Sequence, residues 1–197
     1  MIEKMDKAQL RRKLLDCLLA MSPELRDEKS RKACNHLVAT AHFQEASTVM
    51  MFVSLPHEVD TSEAVLHAWQ LGKVVAVPKI SWQQRHMIAV QINSLETGLS
   101  TSASGLRTPI SGVPVPFGEI DLVVTPFLGI DREGNRLGRG GAYYDRFFAN
   151  PELRAHKCGF GFAEQFLDSI PTEDYDVPVD MLVTDEQVTH FDHRKGE

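Results

Sequence analysis

The sequence predicts an α/β protein in which helices cover both faces of a mostly parallel sheet, a three-layer α/β/α arrangement. Three observations carry this reading. Short runs such as TVMMFVS (48–54), VVAV (74–77) and LVVT (122–125) are apolar without alternation, which suits strands buried on both faces. The first two flank a stretch with helical start and stop signals, so they form a βαβ unit with parallel strands. Finally, 197 residues at 43% hydrophobic and 24% charged are enough to bury about 70% of the chain's surface without staples.

Each element follows in order. Residues 6–20 read as a helix, with Leu14, Leu15, Leu18 and Leu19 at helical spacing. A second helix opens at Ser22-Pro23-Glu24, where serine caps, proline fits the first turn and the acid meets the dipole. Its apolar positions are Leu25, Ala33, Leu37 and Ala41. After the strand at 48–54, a loop with Pro56, His57 and Glu58 leads to Asp60–Glu63, spaced as a capping box with Asp60 as the cap. That helix runs to about Leu71, and Gly72 ends it.

Between 81 and 118 the pattern changes. A strand is expected at 87–92, while 94–116 is rich in Ser, Thr, Gly and Pro. This reads as an extended or antiparallel excursion within one domain spanning 1–197. A short buried strand (122–125), a long loop, a helix from about Gly140 and strands at 157–163 and 181–184 complete the chain. The polar end, 190–197, is expected to fray.

Charge and cysteine content narrow the function. The chain has 21 basic and 27 acidic side chains, a net charge of −6. That argues against broad nucleic-acid binding, which needs a basic face, but leaves room for a local basic pocket and a phosphorylated ligand. Three scattered cysteines, Cys17, Cys34 and Cys158, fit buried thiols of a reducing compartment. The N-terminus is too charged for a signal peptide and no apolar run approaches 18 residues. A cytoplasmic monomer without membrane or nucleic-acid partners is expected.

Chemistry concentrates in TPFLGIDREGNRLGRGGAYYD (125–145), which follows a buried strand and opens a helix, where α/β folds place ligands. Gly134, Gly138, Gly140 and Gly141 permit close backbone approach and could cradle an anion. Arg136 and Arg139 add positive charge, and Asp145 is placed to hold Mg²⁺ on a bound phosphate. The stretch is neither GxGxxG nor GxxxxGK[ST]. A glycine-rich turn with solvated arginines and packed tyrosines accounts for it equally well on pattern alone. His42, His57, His67 and His86 show no HxH or HExxH spacing and read as ordinary surface or core histidines. His190 and His193 fall in the fraying tail.

The string RLGRGGAYYDRFF resembles the signature of the 5-formyltetrahydrofolate cyclo-ligases, or 5,10-methenyltetrahydrofolate synthetases. KAQLRRKLL, LPHEVDT, VVAVPKI and PVDMLVTDE follow the same family's order over about residues 5–188. The resemblance implies a fold related to the NagB/RpiA sugar-phosphate isomerases and CoA transferases. It further implies 5-formyltetrahydrofolate as substrate with ATP and Mg²⁺. In the reaction attributed to the family, the formyl oxygen attacks the γ-phosphate, the neighbouring folate nitrogen closes the ring on the phosphorylated imidate, and phosphate leaves.

By the same resemblance, Arg136, Leu137, Gly138, Arg139, Gly140, Gly141, Ala142, Tyr143 and Tyr144 surround the ATP phosphates. The stretch Arg139–Tyr143 also borders the folate, with Arg136, Arg139 and Tyr143 as catalytic candidates. Lys7 and Arg11 match a basic pair that reaches ATP, and their i, i+4 spacing puts both on one helix face; a solvated face is the simpler account of that pair. Leu55 and Asp60 match folate-contacting positions, with Glu58 beside them, although capping alone would explain Asp60. Asp145 and Asp180 are implied as metal ligands, and Asp145→Asn is expected to abolish turnover with the fold intact. Ala142 stands where the family usually has glycine, and GLRTPISG (105–112) stands where a Gly-Ile-x-Glu-Pro turn is common. A paralogue acting on another substrate, or a non-catalytic folate- or nucleotide-binding protein, are the alternatives.

Overall fold

A computed structural model of the chain describes residues 5–81, 83–102 and 105–193. Helix α1 (Lys7–Ala20) starts at Asp6, whose carboxylate accepts from the Gln9 N–H while the Gln9 side chain accepts from the Asp6 N–H. That reciprocal pair is a capping box. Leu10, Leu14 and Leu18 form its buried stripe, whereas Leu19 is exposed. Helix α2 (Pro23–Ala39) is capped by Ser22, as the sequence predicts, although Leu25 faces solvent. The short α3 (Ala41–Glu45) drives Phe43 into the core. Strand β1 (Thr48–Met51), helix α4 (Ser62–Gln70) and strand β2 (Val74–Ser81) form the expected parallel βαβ unit.

The capping box expected at Asp60 does not form. Thr61 is the cap residue of α4, and its hydroxyl instead donates to the Phe52 carbonyl at 2.8 Å. The Asp60 carboxylate turns outward to accept from the Ser62 N–H and hydroxyl. Burial of the Thr61 hydroxyl outweighs the local capping option.

Next come β3 (His86–Gln91), β4 (Leu99–Thr101), β5 (Arg107–Pro109) and β6 (Pro114–Val115). Strand β3 runs antiparallel to β2, β4 and β5 form a hairpin, and β6 pairs antiparallel with β3. The excursion at 81–118 is therefore antiparallel. Strand β7 (Leu122–Thr125) returns to the parallel sheet beside β1. A hairpin of β8 (Gly129–Asp131) and β9 (Arg136–Leu137) precedes α5 (Tyr143–Phe148). Strands β10 (His156–Phe160), β11 (Phe166–Leu167), β12 (Met181–Val183) and β13 (Val188–His190) follow.

The main sheet has the order β13-β12-β10-β7-β1-β2-β3-β6, with β12 to β2 parallel and the outer strands antiparallel. A second sheet orders β11-β8-β9. Alternate residues serve two cores. Val49, Met51, Leu122 and Val124 face α1 to α4, while Met50 and Val123 face the other side with Phe147 and Phe148 of α5. That double burial explains the unbroken apolar runs. The second helical layer is thin, because α5 has only six residues and starts later than the expected Gly140. The fraying expected from residue 190 is overturned up to 193. His190 pairs with Met181, and the Phe191 N–H donates to the Asp180 carbonyl; residues 194–197 lie outside the described residues.

Candidate active site

A cavity of about 610 Å³ opens where the carboxyl ends of β1 and β7 run into loops, and Phe52, Val53, Pro126 and Phe127 line it. This is the crevice position expected for open α/β sheets. Three segments converge there. The loop after β1 is stitched by side chains: Ser54 donates to the Val59 carbonyl, and Glu58 accepts from the Leu55 N–H at 3.0 Å. The β8–β9 hairpin is held by buried Asp131, which accepts from the backbone N–H groups of Glu133, Asn135 and Ile170. Gly134 makes the turn at φ +79°. The third segment is the N-terminal half of α1, which contributes Lys7 and Arg11.

Arg136 and Asp145 form a buried ion pair at 3.1 Å, with 3% and 11% of their side chains exposed. The Arg136 guanidinium lies so close to Gly138 that a Cβ there would sit 2.7 Å from Nη1. A side chain at 138 would displace the guanidinium, so glycine leaves room for Arg136 there. Nε of Arg136 is buried without a hydrogen-bond partner, an unmet donor in a cavity wall. Arg139 is held from outside by Glu58, whose Oε1 accepts from Nη2 at 2.9 Å and from Nε at 3.2 Å. His57 also touches Arg139. Burial and the Arg139 charge push the His57 imidazole below its ordinary value.

Lys7 contacts Asp176 at 2.6 Å and Glu173 at 3.3 Å. Burial pulls its ammonium pKa down, but the hydrogen bonds and charges of those acids outweigh it and leave the pKa raised. Arg11 donates from Nε to the Gly138 carbonyl at 2.9 Å. Helix α1 thus holds the loop directly, and the basic pair is not a solvated face. Arg146 secures the far side, donating to the Arg85 and Gly141 carbonyls and lying over the Tyr143 ring. Ala142 takes the left-handed conformation, φ 50° and ψ 29°.

Most residues predicted from sequence meet in this cavity: Lys7, Arg11, Leu55, Glu58 and the whole run Arg136–Asp145 line it. Two do not. Asp60 is exposed beyond the cavity rim, its backbone N–H bonded to Ser30 and its carbonyl to the Cys34 thiol. Asp180 lies toward the amino ends of the parallel strands, away from the cavity. It precedes β12, and its carboxylate accepts from the Lys157 N–H and pairs with the Lys157 ammonium at 3.1 Å. The neighbouring His156 is in register with Leu122, the first residue of β7. Met181 is in register with Cys158, and Cys158 with Val124 of β7, so Asp180 lies two residues (roughly 7 Å) toward the amino ends from Thr125 and two strands (roughly 10 Å) to the side.

An acid that shares the cavity with Asp145 is Asp176. The N–H of the adjacent Val177 is 3.5 Å from Asp145 Oδ1. The sequence offered Asp176 and Asp180 at either end of DVPVD, and only topology separates them. Arg107 and an apolar wall of Ile80, Met87, Leu106 and Phe127 were also missed. Their apolar character signals only core.

Cys34 and Cys158 are buried free thiols, and burial raises the Cys34 pKa to about 12. Cys17 is exposed, against expectation, because it lies off the Leu10-Leu14-Leu18 stripe. Among the described residues, no helix is long and apolar enough to cross a membrane.

Comparisons with known proteins agree with this geometry. The 5-formyltetrahydrofolate cyclo-ligase family model matches residues 3–185. A mouse 5-formyltetrahydrofolate cyclo-ligase is 29% identical over 187 residues, covering 90% of this chain and 92% of that protein. The Escherichia coli K12 enzyme of that name is 26% identical over 173 residues, covering 86% and 94%. The solution structure of Aquifex aeolicus 5,10-methenyltetrahydrofolate synthetase superposes with a TM-score of 0.82 at 28% identity, over 98% of this chain and 95% of that one. A Mycoplasma pneumoniae synthetase shares the fold at a TM-score of 0.76 and 21% identity, over 92% and 99%. With the family model spanning nearly the whole chain and the glycine-arginine loop closing the cavity, this protein belongs to the 5-formyltetrahydrofolate cyclo-ligase family.

Proposed function

We propose that the protein converts 5-formyltetrahydrofolate to 5,10-methenyltetrahydrofolate with ATP and Mg²⁺, releasing ADP and phosphate. The observation that carries this is the presence of two chemistries in the lining of one cavity. Lys7, Arg11, Arg136 and Arg139 line it with a glycine-rich backbone, and Phe52, Ile80, Met87 and Phe127 add apolar surface. The cationic lining suits a triphosphate, and the apolar lining suits the flat pterin ring.

The chain's residues then act by position and charge. The glycines at 138 and 140 let the Arg136 and Arg11 guanidinium groups lie against the loop backbone, and the unmet Arg136 Nε adds a donor. Arg139, half exposed, is gripped by Glu58. As the formyl oxygen attacks the γ-phosphorus, the bond to the ADP oxygen breaks, and the arginines offset the charge that spreads over the phosphoryl oxygens. The second folate nitrogen then bonds to the activated carbon and loses its proton. Phosphate leaves carrying the former formyl oxygen.

Asp145 and Asp176 are the carboxylates that would hold Mg²⁺, which prefers oxygen ligands and would neutralise phosphate charge when bound. Both line the cavity, and each already holds a cation through one oxygen, Asp145 Oδ1 with Arg136 and Asp176 Oδ2 with Lys7, so the second oxygen of each would be the ligand atom.

The test follows the near-ultraviolet absorbance of the methenyl product on mixing protein, 5-formyltetrahydrofolate, ATP and Mg²⁺. Absorbance that grows only with both ATP and metal is the expected result. Folded protein that gives no product with this folate overturns the reading.

A further inference from the structure

Three histidines far apart in sequence meet at the edge of the main sheet remote from the cavity. His42 comes from α3, His156 opens β10 and His190 closes β13. One ring nitrogen from each lies within 4.8 Å of the others. The His42 and His156 rings are stacked, with centroids 3.6 Å apart, and His190 is tilted against His42 at 6.1 Å. Nε2 of His156 is buried with no hydrogen-bond partner. Asp180 stands on its other side, with Oδ2 at 3.9 Å from His156 Nδ1.

We propose that His42, His156 and His190 form a site for a divalent transition-metal ion of the zinc class, separate from the nucleotide cavity. Three features point to such an ion. Imidazole is the favoured ligand of zinc, copper and nickel, whereas Mg²⁺ prefers oxygen. Metal-bound histidines commonly direct their second nitrogen toward a carboxylate, the role Asp180 is placed to fill. The orphaned His156 nitrogen is what a metal bond would satisfy.

Binding requires a small rearrangement. Lone pairs lie in the ring planes, so two parallel rings cannot both point at one ion. One of the stacked rings must turn. Tetrahedral zinc at about 2.0–2.1 Å from each nitrogen would then draw the nitrogens to about 3.4 Å apart. Exposed His190 on an edge strand is free to follow, and solvent supplies the remaining ligand position.

The experiment titrates zinc chloride into the chelator-treated full chain by calorimetry, with excess Mg²⁺ to occupy the oxygen-ligand site, and records the melting temperature in parallel. A single zinc equivalent that raises the melting temperature is expected in the native chain. His190→Ala and His42→Ala should each weaken zinc binding about tenfold or more, with circular dichroism confirming that both remain folded. His190 is exposed, so its variant keeps the test sound even if His42→Ala disturbs α3. Native protein that binds no zinc, or a folded variant that binds it as tightly as the native chain, overturns the proposal. The second outcome would assign the zinc to exposed Cys17 or the cavity carboxylates.

Discussion

Ala142 is one of two non-glycine residues with positive φ among the described residues. A left-handed alanine costs about 1–2 kcal/mol, while glycine there would lose about 0.4–1 kcal/mol through the freer unfolded chain. Ala142→Gly should therefore stabilise the protein by roughly 0.5–1 kcal/mol, read as a higher denaturant midpoint. Asp145 behaves differently from the sequence expectation. Its partner Arg136 is 3% exposed at the side chain, so Asp145→Asn leaves a buried cation uncompensated. Loss of turnover should be accompanied by a stability loss of about 3 kcal/mol, measurable by urea unfolding. His57 gives a pH signature. Its folded pKa lies below the ordinary value of 6.5, so the unfolded chain binds more protons as the pH falls through 6.5. Stability should decline over that interval, and an NMR titration should place the His57 midpoint below 6.5.

At the scale of elements, the glycine-arginine loop is held from two sides. Helix α1 grips it through Arg11 and meets segment 173–176 through Lys7, while α5 ties it to the β2–β3 turn through Arg146. Lys7→Ala should raise the KM for ATP more than that for folate, because the proposed reading assigns its ammonium to the ATP phosphates. An equal rise in both constants would move Lys7 out of the phosphate site. The two helices at the start were legible in detail because capping and spacing are local: Ser22 caps α2 as predicted. Asp60 shows where local signals fail. Its capping pattern was intact, but Thr61 satisfied the buried Phe52 carbonyl instead, and the chain turned one residue later.

Across the whole molecule, the cavity depends on how the three-stranded sheet docks on the eight-stranded one. Gly159 of β10 lies directly under Ile130 of β8, and an added Cβ would overlap the Ile130 Cδ1. Gly159→Ala should destabilise the protein by about 1–3 kcal/mol by overpacking. Because β8 leads into the turn that presents Arg136, kcat/KM should also fall. Thermal unfolding and steady-state assays of the same preparation test both parts, and unchanged values would mean that the two sheets dock more loosely than drawn.

The sequence by itself determined the parallel core, its βαβ unit and the identity of the glycine-arginine loop, since apolar runs, caps and contiguous motifs are encoded in neighbouring residues. It placed Lys7 and Arg11 on one face because helical periodicity is a local rule. Only the tertiary structure decided which of two nearby acids lines the cavity with Asp145. Asp176 and Asp180 are four residues apart, yet strand polarity sends one to the carboxyl ends of the sheet and the other to the amino ends. It alone joined His42, His156 and His190 as well. The meeting of His156 and His190 depends on the parallel register of β10 with β12 and the antiparallel register of β12 with β13, which no spacing along the chain records.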